Sequence, residues 1–115
     1  MSPEPTAFTA LGRQVLRLEA EALAAAAERI DERFDRAIAL LRSAAGRVIV
    51  SGVGKSGLIA RKIAATLTST GTAATYLHPV DSLQGDLGIV GRGDAGILLS
   101  KSGESEELFG LAGAF

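Results

Sequence analysis

The sequence contains no cysteine and only one histidine in 115 residues. Without cysteine there are no disulfides, no thiolate metal sites and no cysteine nucleophile. One imidazole excludes a histidine-rich metal cage. Charge of one sign is also missing, since 12 basic side chains face 13 acidic ones for a formal net charge of -1. That balance argues against a nucleic-acid face built on bulk basicity. The first 30 residues carry Glu4, Glu19, Glu21 and Glu28 and no apolar core of the kind a secretory signal needs. No run approaches the roughly 18 uncharged apolar residues of a membrane helix. The expectation is a cytoplasmic protein. What is present is an ordinary apolar fraction, 47%, in a length that fits one domain or part of one.

Residues 1–45 read as helical, after an arm from Met1 to Thr6 that carries Pro3 and Pro5. Leu11, Val15, Leu18 and Ala22 fall on one helical face, and Ile30, Phe34, Ile38 and Leu41 repeat the pattern. The spacing allows one bent helix or two consecutive ones, with Asp31 as a cap for the second and Glu32 and Arg36 as a supporting pair. These faces are read as packing surfaces and not as sites of chemistry. After Gly46 the period changes. Val48 to Val50 is a short β-branched run of the kind buried on both faces of a parallel sheet. A glycine-rich turn from Gly52 to Gly57 leads into a helical pattern of Leu58, Ile59, Ile63, Ala64 and Leu67, ended by Gly71 at C′. Ala73 to Leu77 is a second strand stopped by Pro79, residues 80–93 are irregular, and Ala95 to Leu99 is a third strand. Ser100 to Gly103 is a small-residue turn, and a last helix is expected from Glu104. The predicted fold class is α/β: a doubly wound parallel sheet behind N-terminal helices. Three strands bury little core, so the chain is expected to be truncated after the third strand and its helix, or completed by oligomerisation.

Two loops carry chemistry. Ser51-Gly52-Val53-Gly54-Lys55-Ser56-Gly57 matches G-x-G-x-x-G between a strand and a helix. It is not a P-loop, because Ile49 stands where that motif needs its first glycine. Its glycines allow close backbone approach, the helix start points N–H groups outward, and Lys55 and Ser56 add a charge and a hydroxyl. Ser100-Lys101-Ser102-Gly103-Glu104-Ser105 sets three hydroxyls around a glycine at the end of the third strand, a second anion cradle. Either loop alone could be a tight turn or an N-cap by Ser102. Together, at carboxyl ends of strands in one sheet, they sit where open α/β sheets bind ligands. A dinucleotide site would want an acid near the end of the second strand, but Leu77-His78-Pro79 stands there and Asp81 comes late. Serine hydroxyls in number suit a phosphate ester better.

These loops, together with Ser69-Thr70-Gly71-Thr72, His78-Pro79, Gly85-Asp86-Leu87-Gly88 and the continuation Glu104-Ser105-Glu106-Glu107-Leu108, run in the order found in arabinose-5-phosphate isomerases. The chain resembles that family of sugar-phosphate isomerases over nearly all of its length. The resemblance implies a flavodoxin-like SIS sandwich, with residues 1–45 a helical segment packing on it and residues 46–115 the first half of the SIS domain. It also implies interconversion of ribulose 5-phosphate and arabinose 5-phosphate, which supplies the octulosonate of lipopolysaccharide, and a homo-oligomer, generally a tetramer. No cofactor and no required metal are implied. By the same resemblance Ser56, Ser100, Ser102 and Ser105 would hold the phosphate, and Gly54, Gly71 and Thr72 would line the substrate site. Lys55 and Glu107 would act in catalysis, with Glu104 and Glu106 as rival carboxylates. His78 matches a sugar contact that sometimes carries an adventitious zinc. Gln84 stands where the family usually has a histidine, and an amide cannot shuttle a proton near neutral pH. A further glutamate and histidine of the family site fall beyond the equivalent of Phe115, so this chain by itself is expected to be a poor isomerase. A non-catalytic sugar-phosphate-binding regulatory module is the alternative. It would normally bring a DNA-binding segment, and the N-terminal helices lack a basic recognition face.

Overall fold

The computed structural model describes residues 5–79 and 91–103. The chain divides into two compact units, Met1–Ala37 and Ile38–Phe115. The first holds helix α1, Pro5–Arg29, and the start of helix α2, Glu32–Ser43. The N-terminal region is therefore two helices, separated at Ile30 and Asp31. Asp31 caps the second, accepting the N–H of Arg33 at 3.0 Å, and also takes the Arg33 guanidinium in a two-pronged bond at 3.1 and 2.9 Å. The guanidinium, and after it the backbone N–H, hold the Asp31 carboxyl below its ordinary pKa. Arg33 has thus taken the ionic role expected of Arg36, and the Glu32–Arg36 pair does not form. Helix α1 also begins earlier than the two prolines suggest, because proline fits the first helical turn, where its missing N–H would have no partner. Its apolar face is exposed: Phe8, Leu11, Val15 and Leu18 each keep between 46% and 60% of their surface.

The second unit is built on strand β1, Val48–Gly52, followed by helix α3, Gly54–Ser69, strand β2, Ala74–Tyr76, and strand β3, Ala95–Leu99. The sheet is parallel with order β2-β1-β3, so β1 is central and buried throughout. Alternation along β1 serves both faces. Val48 and Val50 pack with Ala60 and Ala64 of α3, while Ile49 packs with Leu77 and Leu98 on the other side. A sheet apolar on both faces is what a doubly wound arrangement requires. Strand β2 is two residues shorter than its apolar run, since pairing begins at Ala74 and Leu77 has left the extended strand. Helix α3 starts inside the glycine-rich turn and ends as its sequence indicated. Thr72 N–H bonds to Leu67 C=O at 2.8 Å and Gly71 N–H to Thr68 C=O at 3.3 Å, with Gly71 at φ 103°. That is a complete Schellman ending. The helix expected from Glu104 lies outside the described residues.

At the amino end of the sheet, Asp94 ties β3 to β1. Its carboxylate accepts the N–H of Gly91 and of Arg47, each at 2.7 Å, and the Arg47 guanidinium stands 3.8 Å away. The side chain is only 6% exposed. The two backbone donors, aided by the Arg47 charge, hold the Asp94 carboxyl below its usual pKa against the opposing effect of burial. No helix among the described residues is long and apolar enough to cross a membrane.

Candidate functional site

The site is set by the register of β1 and β3. Gly52, the last residue of β1, pairs with Leu99, the last of β3. The turn after Gly52 and the turn after Leu99 therefore leave the sheet side by side, about one strand spacing (~4.8 Å) apart. From β1 the chain goes to β2 on one side, while β3 lies on the other. The carboxyl ends of β1 and β3 thus bound a topological switch point, where open α/β sheets bind ligands.

Each glycine of the first loop answers a different constraint. Gly54 adopts φ 59° in open space, so it turns the chain from the extended Val53 into α3. At Gly52 a Cβ would come within 2.9 Å of the Ser56 backbone, and at Gly57 within 2.7 Å of the Gly52 carbonyl oxygen. Those two positions bring strand and helix into direct backbone contact. Helix α3 has no side-chain cap on its first turn and no acid there. Its leading N–H groups and the positive end of its dipole are accordingly suited to an anion. Lys55 is exposed and Ser56 half-buried.

In the second loop the Ser100 hydroxyl accepts the N–H of Gly103 at 2.8 Å, and Gly103 takes φ 74°. The capping of a helix from Glu104 by Ser102 lies outside the described residues. Lys101 and Ser102 are exposed. Lys101 had no assigned role in the sequence, yet the register puts its loop beside that of Lys55, so two exposed lysines belong to adjacent loops. Nothing in the linear spacing of residues 55 and 101 signals this.

His78 leaves β2 on the opposite flank of β1. Its approach is clamped by Leu77 N–H on Val50 C=O at 3.0 Å and by the buried Ser51 hydroxyl, which donates to Leu77 C=O. His78 is half-buried. Among the described residues no group of three or more His, Asp or Glu gathers that could hold a metal ion. Gly71 and Thr72 are not brought to this end of the sheet. They follow the C-terminus of α3 and are exposed, separated from Lys55 by the length of a 16-residue helix, on the order of 24 Å. Within one chain they lie away from the turn that carries Lys55. Gln84, Ser105 and Glu107, with Glu104 and Glu106, lie outside the described residues.

A second feature escaped the sequence reading, in which Tyr76 was only a strand residue. Its hydroxyl donates to Gly52 C=O at 2.9 Å, and the Arg61 guanidinium lies 4.3 Å from its ring centroid.

Among the described residues, a parallel three-stranded α/β unit with two turns leaving its switch point side by side defines a protein of the open-sheet α/β class. The SIS domain family model matches residues 40–112, and the chain belongs to that family. It is 46% identical over 97 residues to arabinose 5-phosphate isomerase GutQ of Escherichia coli K12, covering 84% of this chain and 30% of that protein. It is 45% identical over 104 residues to arabinose 5-phosphate isomerase KdsD of Yersinia pestis, covering 90% of this chain and 32% of that protein. The chain spans about a third of the length of the curated relatives it matches. Among solved structures it is similar to an Escherichia coli CFT073 protein in complex with A5P. That match has a TM-score of 0.87 and 38% identity over 95% of this chain and 58% of the other. A Bacteroides fragilis protein described as a putative phosphosugar isomerase involved in capsule formation matches with TM-score 0.84 and 31% identity, over 92% of this chain and 56% of that one.

Proposed function

We propose that this chain carries the phosphate-binding half of a sugar-phosphate isomerase site whose substrate pair is ribulose 5-phosphate and arabinose 5-phosphate. The observation that carries the reading is the pairing of Gly52 with Leu99, which sets Val53–Ser56 beside Ser100–Gly103. Backbone N–H groups of α3 and the hydroxyls of Ser56, Ser100, Ser102 and Ser105 would hold the phosphate, with Lys55 and Lys101 supplying charge. The relatives' names support the substrate pair. Isomerisation then passes through an enediol. Glu107 would carry a proton between C1 and C2, while Lys55 stabilises the oxygen that gains negative charge. Lipopolysaccharide octulosonate synthesis in the cytoplasm is the metabolic setting this chemistry fits.

The same reading makes the protein a homo-oligomer. Gly71 and Thr72 sit far from the loops of their own chain, so they would reach a sugar site only as a second copy's contribution. The exposed apolar face of α1 is of the kind that association covers.

Calorimetric titration with ribulose 5-phosphate and with ribulose tests the phosphate cradle. The phosphorylated sugar is expected to bind and free ribulose to bind far more weakly. Ser102→Ala is expected to weaken the phosphorylated ligand by about 1 to 3 kcal/mol. Equal affinity for the two sugars refutes the reading. For catalysis, in the protein completed with the C-terminal half of the SIS domain, Lys55→Ala and Glu107→Gln are expected to lower turnover by orders of magnitude with modest changes in affinity, and Gln84→His to be neutral or better. Full turnover in Glu107→Gln with loss in Glu104→Gln would move the proton-transfer role from Glu107 to Glu104.

A further inference from the structure

We infer that Tyr76 is a positioning residue for the anion turn, acting from a neighbouring strand without touching the ligand. The inference rests on the phosphate-cradle reading above and deepens it. Tyr76 ends β2 opposite Val50, on the sheet face that packs against α3. From there its hydroxyl donates to Gly52 C=O at 2.9 Å. The same oxygen lies against Gly57, where a Cβ would approach it to 3.1 Å. One hydroxyl therefore bonds the last residue of β1 and occupies the space that a side chain on Gly57, the first buried residue of α3, would need.

The consequence follows from peptide geometry. Gly52 C=O and Val53 N–H belong to one planar trans unit and point in opposite directions. Holding the carbonyl oxygen on Tyr76 aims the Val53 N–H away from the ring and fixes the plane from which the turn departs. Gly52 has no side chain to restrict that plane, and Gly54, at φ 59°, is a permissive position two residues on. A turn with glycines at both places needs an external restraint to keep its N–H groups convergent. The Arg61 guanidinium over the Tyr76 ring, at 4.3 Å, fixes the ring from the α3 side. A shape-based site gains affinity from such preorganisation because less order is lost on binding.

Tyr76→Phe isolates the effect, since it keeps the ring and the Arg61 stack and removes one oxygen. Amide resonances of Val53 to Gly57 are compared in the ligand-free protein. Dissociation constants for ribulose 5-phosphate and inorganic phosphate are then measured well below the unfolding temperature of both proteins. The expected result is displaced Val53–Gly57 resonances and a rise of about 3- to 10-fold in both dissociation constants, with their ratio unchanged. Arg61→Gln, which keeps the hydroxyl, is expected to move both readouts in the same direction by less. Unchanged dissociation constants in a Tyr76→Phe protein that merely melts earlier would reduce Tyr76 to a structural role and overturn the inference. If the wild-type chain binds neither ligand, the phosphate reading fails. The ligand-free resonances still decide Tyr76, because unmoved signals from Val53 to Gly57 refute its hold on the turn.

Discussion

Gly57→Ala should be among the most damaging single-methyl additions in this chain. Residue 57 is helical, so alanine by itself would favour the folded state by about 0.5 to 1 kcal/mol. The new Cβ, however, would stand 2.7 Å from the Gly52 carbonyl oxygen, where ordinary contact begins at 3.4 Å. The difference, about 0.7 Å, has to be absorbed by backbone, because the obstacle is the end of the central strand and not a rotatable side chain. Overpacking of this kind costs about 1 to 3 kcal/mol. Taking the middle of each range, the net loss is about 1.3 kcal/mol. With a mid-range urea slope of about 2 kcal/mol per molar for a domain of this size, the midpoint should fall by roughly 0.6 M. The displaced carbonyl is the one Tyr76 holds, so the anion turn moves with it, and ribulose 5-phosphate affinity should drop about tenfold or more. Urea denaturation followed by circular dichroism, with parallel calorimetry on the folded protein, reads both effects. A variant as stable as wild type with unchanged affinity would refute the close-approach argument.

The same substitution at Gly12, in α1 with nothing within 4 Å of the added carbon, should raise the thermal midpoint; a lower midpoint would contradict the open setting of that residue. Asp94 has its pKa lowered in the folded state, so its contribution to stability is present above the ordinary carboxylate value of 3.8 and is lost as pH falls through the depressed folded value. Asp94→Asn should therefore lower the urea midpoint near neutral pH and flatten its decline between about pH 5 and 2; an unchanged acid limb would show that the Gly91 and Arg47 contacts do not govern it. Replacing Leu11 and Val15 with glutamate should shift the sedimentation of the chain toward smaller species at micromolar concentration. A wild-type chain that already sediments as a well-folded monomer would remove the case for association through α1.

Local chemistry was legible in the residues themselves. The β-branched run at Val48–Val50 announces a central strand because both of its faces need burial. Gly71 announces a helix end because only glycine takes φ near 103° without strain. Asp31 announces an N-cap because its carboxylate reaches the second N–H of the following helix. The Gly52–Gly57 spacing marked a tight strand-to-helix turn, and the order of strands and helix indicated a parallel α/β sheet. Each of these depends on neighbours within a few positions along the chain.

What only the tertiary structure decided are relations between residues far apart in sequence. The register that sets Gly52 against Leu99 brings the loops of Lys55 and Lys101 side by side, although 46 positions separate the two residues. Helix α3 sets Gly71 and Thr72 at its far end from Lys55, against the expectation that they join the same site within one chain. Asp94 could have been any loop acid until the sheet placed the Gly91 and Arg47 N–H groups around it. Tyr76 read as one more strand aromatic until pairing with β1 set its hydroxyl on Gly52. The physical reason is common to the lysine loops, Asp94 and Tyr76. Backbone propensity and periodicity act over one turn or one pleat, whereas strand order and register are settled by burying both faces of β1 at once, a condition that no local stretch of the sequence expresses.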